Sequence, residues 1–272
     1  MNLESYHIHL PSTPRVPILI SVPHCGTVFP EEIRSQYDQE LIRAPDDTDW
    51  FVDRLYSFAP SLGITMITAL FNRWVIDLNR NPDSKPLYTD GRIITGLCPV
   101  TTFFGKSLYR DGRKEVDPAE VARRRELYFD PYHEKLDDLL QELKSTFGTV
   151  LLWDCHSIRQ VVPTIQAEKF PDLILGSADG ASAGEGLIRV ALENLGSHKY
   201  ALQHNHPFKG GYITRHYGHP QENQHALQLE MSKINYMDDS ETAYDPARAD
   251  KMRELLIQTL NDMSEALTSP KD

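Results

Sequence analysis

The apolar run TVLL, leading into WDCHSIR over residues 149–159, constrains this chain more than any other segment. A near-continuous apolar strand is buried on both faces, the environment of an interior strand in a parallel sheet rather than of a solvent-facing hairpin. Such a strand needs helices over both faces, so a layered α/β fold is expected. The run also ends in a carboxylate, a thiol, an imidazole, a hydroxyl and a guanidinium. Open α/β sheets gather functional groups at strand ends, where the scaffold holds them without filling the space a ligand needs.

The remaining pattern agrees with that class. VPILISV, residues 16–22, is short and β-branched and breaks at PHCG, which puts His24 at a strand end. Thr48 is read as the N-cap of a helix with Phe51, Leu55 and Phe58 at helical spacing, stopping near Pro60. ITMITAL, residues 64–70, reads as a strand, and RWVIDLNR, residues 73–80, as a further strand and its hairpin partner. A polar connection with Pro and Gly follows, long enough to suspect a functional role. Residues 117–148 read as a long helix or helix pair with Asp117 as cap, Pro118 at the first helical position, an interruption near Pro131 and Gly148 as its stop. DLILG is a short strand, residues 183–195 a helix, and residues 200–203 a strand. After a Gly-Gly turn, YITRHYG and HALQLEM look strand-like, and a helix over residues 246–267 closes the chain. No repeat, low-complexity tract or linker divides it. One domain over residues 1–272 is expected, with a mixed, mostly parallel sheet flanked by helices.

Composition excludes several classes of partner. With 272 residues, 40% apolar and 25% charged, the chain can bury a substantial core. A formal charge of -11 and a pI near 5.4 give no support to a nucleic-acid or membrane surface. Three cysteines, Cys25, Cys98 and Cys155, are too few and too odd for a disulfide framework, so free thiols in a reducing compartment are expected. The amino-terminal residues lack a basic region followed by an apolar core, and no apolar run approaches the ~20 residues needed to cross a bilayer. The cytoplasm is the expected location.

Three polar clusters fall at strand ends: His24, the pair Asn79-Arg80, and Asp154 with His156. Taken singly, each has a structural explanation as a satisfied histidine or an ion pair; together they suggest a site. Zinc takes imidazole nitrogen and carboxylate oxygen, and catalytic sites commonly use three protein ligands with a fourth position open. His24 and His156 could be two, with the third among Asp46, Asp47 and Asp49, whose other reading is helix capping. Cysteine catalysis through Cys155 and His156 is geometrically poor, because adjacent residues on a strand face opposite ways. Further on, Lys209, Arg215, His216 and Tyr217 surround the Gly210-Gly211 turn, and Glu230 lies inside an apolar strand. A carboxylate there needs a reason: an ion pair with Lys233 or Arg215, or a role as general base.

PHCG, DTDWFVDRLY, RWVIDLNR, WDCHS, PDLILGSADG, FKGGYITRHYG and HALQLEMSKINYM together resemble the N-formylglutamate amidohydrolase family, in the same order and over residues 16–237. The resemblance implies a fold similar to zinc carboxypeptidases. It also implies an activity: a Zn2+ hydrolase with one ion, other divalent metals being possible, that cleaves N-formyl-L-glutamate to formate and L-glutamate in one route of histidine breakdown. Carried onto this chain, it makes His24, His156 and Asp49 the metal ligands, with Asp47 the other choice for the carboxylate. It makes Glu230 the general base and Asn79 and Arg80 the grip on a substrate carboxylate, with Asp154 supporting His156 or a neighbouring basic group. Lys209 and Arg215 become candidates for the distal carboxylate.

Two departures stand out. Where members read NGRFKGG this chain reads NHPFKGG, so Pro207 replaces an arginine and a weaker preference for glutamate is expected; Cys25 stands where serine is usual. The alternatives are a zinc deacylase or carboxypeptidase-like hydrolase for another N-acyl amino acid, or a non-catalytic binding protein of the same fold.

Overall fold

The structure, a computed structural model, describes residues 4–83 and 96–269. Its strands are β1 (Tyr6–His9), β2 (Ile18–Val22), β3 (Thr65–Ala69), β4 (Val150–Ile158), β5 (Leu173–Gly176), β6 (Leu202–His204) and β7 (Gln224–Ser232). They form one sheet in the order β1-β3-β2-β4-β7-β5-β6. β3, β2, β4 and β7 are mutually parallel; β1 pairs antiparallel with β3, and β5 antiparallel with β7. The helices are α1 (Glu31–Arg34), α2 (Val52–Leu55), α3 (Pro118–Arg124), α4 (Asp130–Phe147), α5 (Glu185–Leu195), α6 (Tyr212–Tyr217) and α7 (Pro246–Thr268). No described helix is long and apolar enough to cross a membrane.

β4 is buried along all nine residues, as its apolar run requires. Its odd-numbered positions Leu151, Trp153 and Cys155 join Ile20, Leu227 and Leu229 in the core under α5 and α7. Leu152 joins Leu19 and Ala226 in the second core, under α4 and α6. Along that second face the side chains change character toward the carboxyl ends. Leu19 is followed by Ser21, Leu152 by Asp154 and His156, and Ala226 by Gln228 and Glu230. Register sets these side by side: Ser21 pairs with Asp154, Asp154 with Gln228, and His156 with Glu230. Because β3 lies on one side of β2 and β4 on the other, the carboxyl ends of β2 and β4 form a switch point, the usual ligand crevice of open α/β sheets.

Three sequence expectations need correction. Residues 73–80 are not a strand; β1 takes the place beside β3. Short polar side chains capture that backbone instead. Asn72 Oδ1 accepts from Trp74 N at 3.0 Å and Asp77 Oδ1 from Asn79 N at 2.9 Å, turning the chain twice. YITRHYG is a helix, not a strand: Ile213, Thr214 and Tyr217 share its buried face, and Asn79 Oδ1 accepts from Ile213 N at 2.8 Å in its open first turn. Thr48 caps no helix. It accepts from Asn72 Nδ2 at 2.8 Å, and α2 begins only after Phe51, at φ 65°.

The interruption near Pro131 is a π-helical turn, Arg125–Phe129, ending two residues before the proline. Pro131 lacks an N–H and its ring crowds the carbonyl four residues back, so the wider turn relieves both. Most of the polar connection after Arg80 lies outside the described residues.

Candidate metal centre

β2 ends at Val22 and the chain turns, bringing His24 over the carboxyl end of β4, where His156 stands on the same side of the sheet. Their rings are 4.8 Å apart between centroids. Asp49 joins them from the loop before α2, held by a bond from its N–H to His24 O at 3.0 Å. Its Oδ2 lies 3.6 Å from His24 Nδ1 and 3.1 Å from His156 Nδ1. One donor atom from each of the three lies within 4.8 Å of the others, and all three residues are buried. His24 Nδ1 and Asp49 Oδ1 have no hydrogen-bond partner, although both are shut off from solvent. Buried polar atoms without partners are costly, and these two, grouped with a ring nitrogen of His156, fit a cation. The group can hold a metal ion.

Both imidazoles are oriented from behind. His24 Nε2 donates to Asp77 Oδ1 at 2.8 Å and His156 Nε2 to Asp154 Oδ2 at 2.9 Å, which leaves Nδ1 of each ring as the acceptor facing Asp49. Burial alone would raise Asp49, but hydrogen bonds and charge from His156 and His24 hold its carboxyl well below the usual range. Burial opposes charge on His156, yet the Asp154 and Asp49 carboxylates outweigh it and raise its pKa well above normal.

Asp77 carries more than one duty. Its Oδ2 accepts from Arg73 Nη2 at 2.7 Å and lies 3.8 Å from Arg80 Nη2. Burial pushes its pKa up, but Arg73, Arg80 and His24 together bring it well below normal. Arg73 is itself only 6% exposed, and among the charges acting on it are Asp77, Asp49 and Asp47. Asp77 and Arg73 carry little signal in the sequence: an acid and a base four apart in RWVID ordinarily denote a structural pair.

Glu230 is the one residue of β7 that is not fully buried. It has no hydrogen bond or ion pair among the described residues, so neither Lys233 nor Arg215 neutralises it. Burial of the carboxyl pushes its pKa up to about 8, with His156 and Arg73 pulling down and Asp49 and Asp154 pushing up. An acid beside a candidate metal ligand, unpaired among the described residues and not fully buried, is equipped to exchange protons.

The other sequence candidates separate. Asp47 points away from the triad: its carboxylate accepts from Trp74 Nε1 at 2.8 Å and from Phe103 N at 3.1 Å. Asn79 is buried; its amide nitrogen lies 2.9 Å from His156 Nε2 and donates to Gln228 Oε1 at 3.3 Å. Gly211 must be glycine here, since a Cβ would sit 2.3 Å from the Asn79 amide. Arg80 is partly exposed beside this cluster, with Nη1 donating to Asn79 O at 3.2 Å. Lys209 stands half-exposed on Asp179 at 2.8 Å, and exposed Arg215 donates from Nε to Gly210 O at 3.0 Å. All three cysteines are free thiols, and burial raises Cys25 and Cys155 well above the ordinary value, so neither is a ready thiolate.

The family model for N-formylglutamate amidohydrolase matches residues 16–237. The chain belongs to the N-formylglutamate amidohydrolase family. A relative from Pseudomonas aeruginosa, named N-formylglutamate deformylase, is 41% identical over 92% of this chain and 93% of its own. Another of that name, from Pseudomonas putida, is 42% identical over 84% of each chain. The crystal structure of N-formylglutamate amidohydrolase from Ralstonia eutropha JMP134 superposes with a TM-score of 0.82 at 26% identity, covering 97% of this chain and 99% of that one. A second solved structure, the gene product Atu2144 from Agrobacterium tumefaciens, shares the fold with a TM-score of 0.73 at 16% identity. Every segment quoted above for the resemblance lies inside the matched range, and so do all the candidate ligands of this family member.

Proposed function

We propose that the protein is a metal-dependent amidohydrolase that cleaves N-formyl-L-glutamate to formate and L-glutamate. The observation that carries this reading is the register of His156 with Glu230, which sets a candidate ligand beside an unpaired carboxyl on one face of the sheet. The names of the relatives supply the substrate. Two imidazole nitrogens and one carboxylate oxygen suit zinc better than the all-oxygen cations.

His24, Asp49 and His156 would hold the ion. When bound, it polarises the formyl carbonyl and lowers the pKa of an attacking water. Glu230 takes the proton from that water and passes it to the departing amine nitrogen, so one carboxyl serves both halves of the reaction. Asp77 and Asp154 keep the imidazoles turned toward the centre. Arg73 and Arg80 supply positive charge beside Asp77; Arg80, the more accessible, is suited to the substrate's α-carboxylate through its planar fork. Asn79 acts through others, tying His156, Gln228 and the start of α6 together. The substrate is a small soluble molecule; neither nucleic acid nor membrane is a partner, and a cytoplasmic location suits this chemistry.

The test is release of glutamate from N-formyl-L-glutamate by zinc-loaded protein, alongside Glu230→Gln. The variant should keep zinc and melting temperature near parent values while kcat falls about 10²–10⁴-fold. Zinc-replete parent that releases no glutamate refutes the activity. A variant that loses zinc in proportion to activity makes Glu230 a ligand instead.

A further inference from the structure

Residues 73–80 leave the sheet, so the buried carbonyls of this segment need donors from elsewhere. Three side chains outside it supply them. Tyr37 Oη donates to Trp74 O at 3.1 Å, Arg124 Nη1 to Val75 O at 3.1 Å, and His133 Nε2 to Leu78 O at 2.9 Å. Arg124 closes α3 and His133 lies in the first turn of α4. In an uninterrupted α-helix, side chains at that spacing point about 180° apart. The π-turn between the two adds a residue to one turn and closes the angle to about 80°, so both reach the same segment.

His133 has the more consequential place. The Leu78 carbonyl stands between Asp77, whose Oδ1 accepts from His24, and Asn79, whose amide nitrogen lies 2.9 Å from His156 Nε2. Burial pushes the pKa of His133 down to about 3, so the ring is neutral and its one proton sits on the nitrogen facing the carbonyl. Nδ1 then accepts from Tyr217 Oη at 3.0 Å, with the two rings nearly parallel, at 7°. Tyr217 belongs to α6, whose first turn is held in its turn by Asn79 Oδ1, accepting from Ile213 N at 2.8 Å. Leu78, His133, Tyr217, α6 and Asn79 therefore close a circuit, and a residue that touches His156 is part of it.

We propose that His133, its ring set by Tyr217, is a positioning residue of the metal centre: through Leu78 O it fixes the turn from which Asp77 and Asn79 reach His24 and His156. This rests on the metal-dependent reading above and extends it to a side chain that hydrogen-bonds to none of the three ligands.

Two amides of different length separate the roles. In His133→Gln the amide nitrogen falls near the place of Nε2 and keeps a donor on Leu78 O. In His133→Asn it falls near the place of Nδ1, within reach of Tyr217 and short of the carbonyl. Competition against a chelating dye measures zinc affinity. His133→Asn should weaken it by about tenfold or more, while His133→Gln stays near the parent. Leu260→Ala, in the core under α7, lowers the melting temperature without touching the turn and should leave zinc affinity unchanged. Equal affinities in the two amide variants overturn the proposal, and so does a loss in Leu260→Ala that matches the loss in His133→Asn. Should His133→Asn fold poorly, Tyr217→Phe removes only the hydroxyl that sets the ring. It should still weaken zinc binding, and a parent-like affinity overturns the proposal. If the parent binds no zinc, the metal-dependent reading fails separately, and NMR of the histidine rings in the metal-free chain decides. Signals of His24 and His156 displaced in His133→Asn but not in His133→Gln support the proposal, and signals alike in both overturn it.

Discussion

Asp77→Asn tests whether one buried carboxylate both orients a ligand and neutralises a cation. The amide keeps the shape and leaves an oxygen to accept from His24 Nε2 and Asn79 N, now 2.8 and 2.9 Å away. Its nitrogen, however, must face Arg73 Nη2, which lies 2.7 Å from Oδ2, donor against donor. Arg73 is 6% exposed and would keep its charge with that partner gone. Breaking a buried pair from one side costs about 3–5 kcal/mol, on the order of 10 °C in melting temperature for a chain of this size. Separately, losing the charge behind His24 weakens its hold on a metal, an effect of about 10–100-fold in affinity for such outer partners. Urea and thermal unfolding of the metal-free protein measure the first effect, and competition for zinc against a chelating dye the second. Asp111→Asn, which breaks an exposed pair with Arg113, is the control and should move neither. Parent-like melting together with parent-like zinc affinity would refute the geometry from which both figures come.

Arg80→Lys keeps the charge but loses the planar fork, so kcat/KM for N-formyl-L-glutamate should fall by at least about tenfold, mostly in KM; an unchanged value removes Arg80 from the substrate's α-carboxylate. Gly211→Ala drives a methyl to 2.3 Å from the Asn79 amide. Overpacking of that kind costs about 1–3 kcal/mol, and because Asn79 touches His156, activity should drop further than stability does; parent-like turnover would show that Asn79 has freedom to move.

What the amino-acid pattern reveals about the fold follows burial. β4, β7 and α7 were readable because each packs one continuous apolar pattern against the core. Residues 73–80 were misread because WVIDL has strand composition, while Asn72 and Asp77 turn the chain through bonds that a periodicity count does not weigh. YITRHYG was misread for a related reason. Six residues are too few for a helical period to announce itself, and the group that serves its open first turn, Asn79, is 134 positions away in the chain.

The site divides along the same line. Asp154 behind His156 could be anticipated, since residues two apart on a strand share a face, and the shared face here is the one on which Glu230 lies beside His156. Asp77 behind His24 could not: the pair is 53 residues apart, and the segment carrying Asp77 was taken for a strand whose side chains would have alternated away from one another. The double turn gathers Arg73 and Arg80 on Asp77 and brings Asp77 and Asn79 into direct contact with the histidines. The residues that escaped the sequence are therefore the ones whose meaning depends on a partner supplied by another element. Lys233 is of this kind as well. In HALQLEMSK it reads as a partner for Glu230, and only the Asp46 loop, 187 positions earlier, supplies the hydrogen bond its buried ammonium makes.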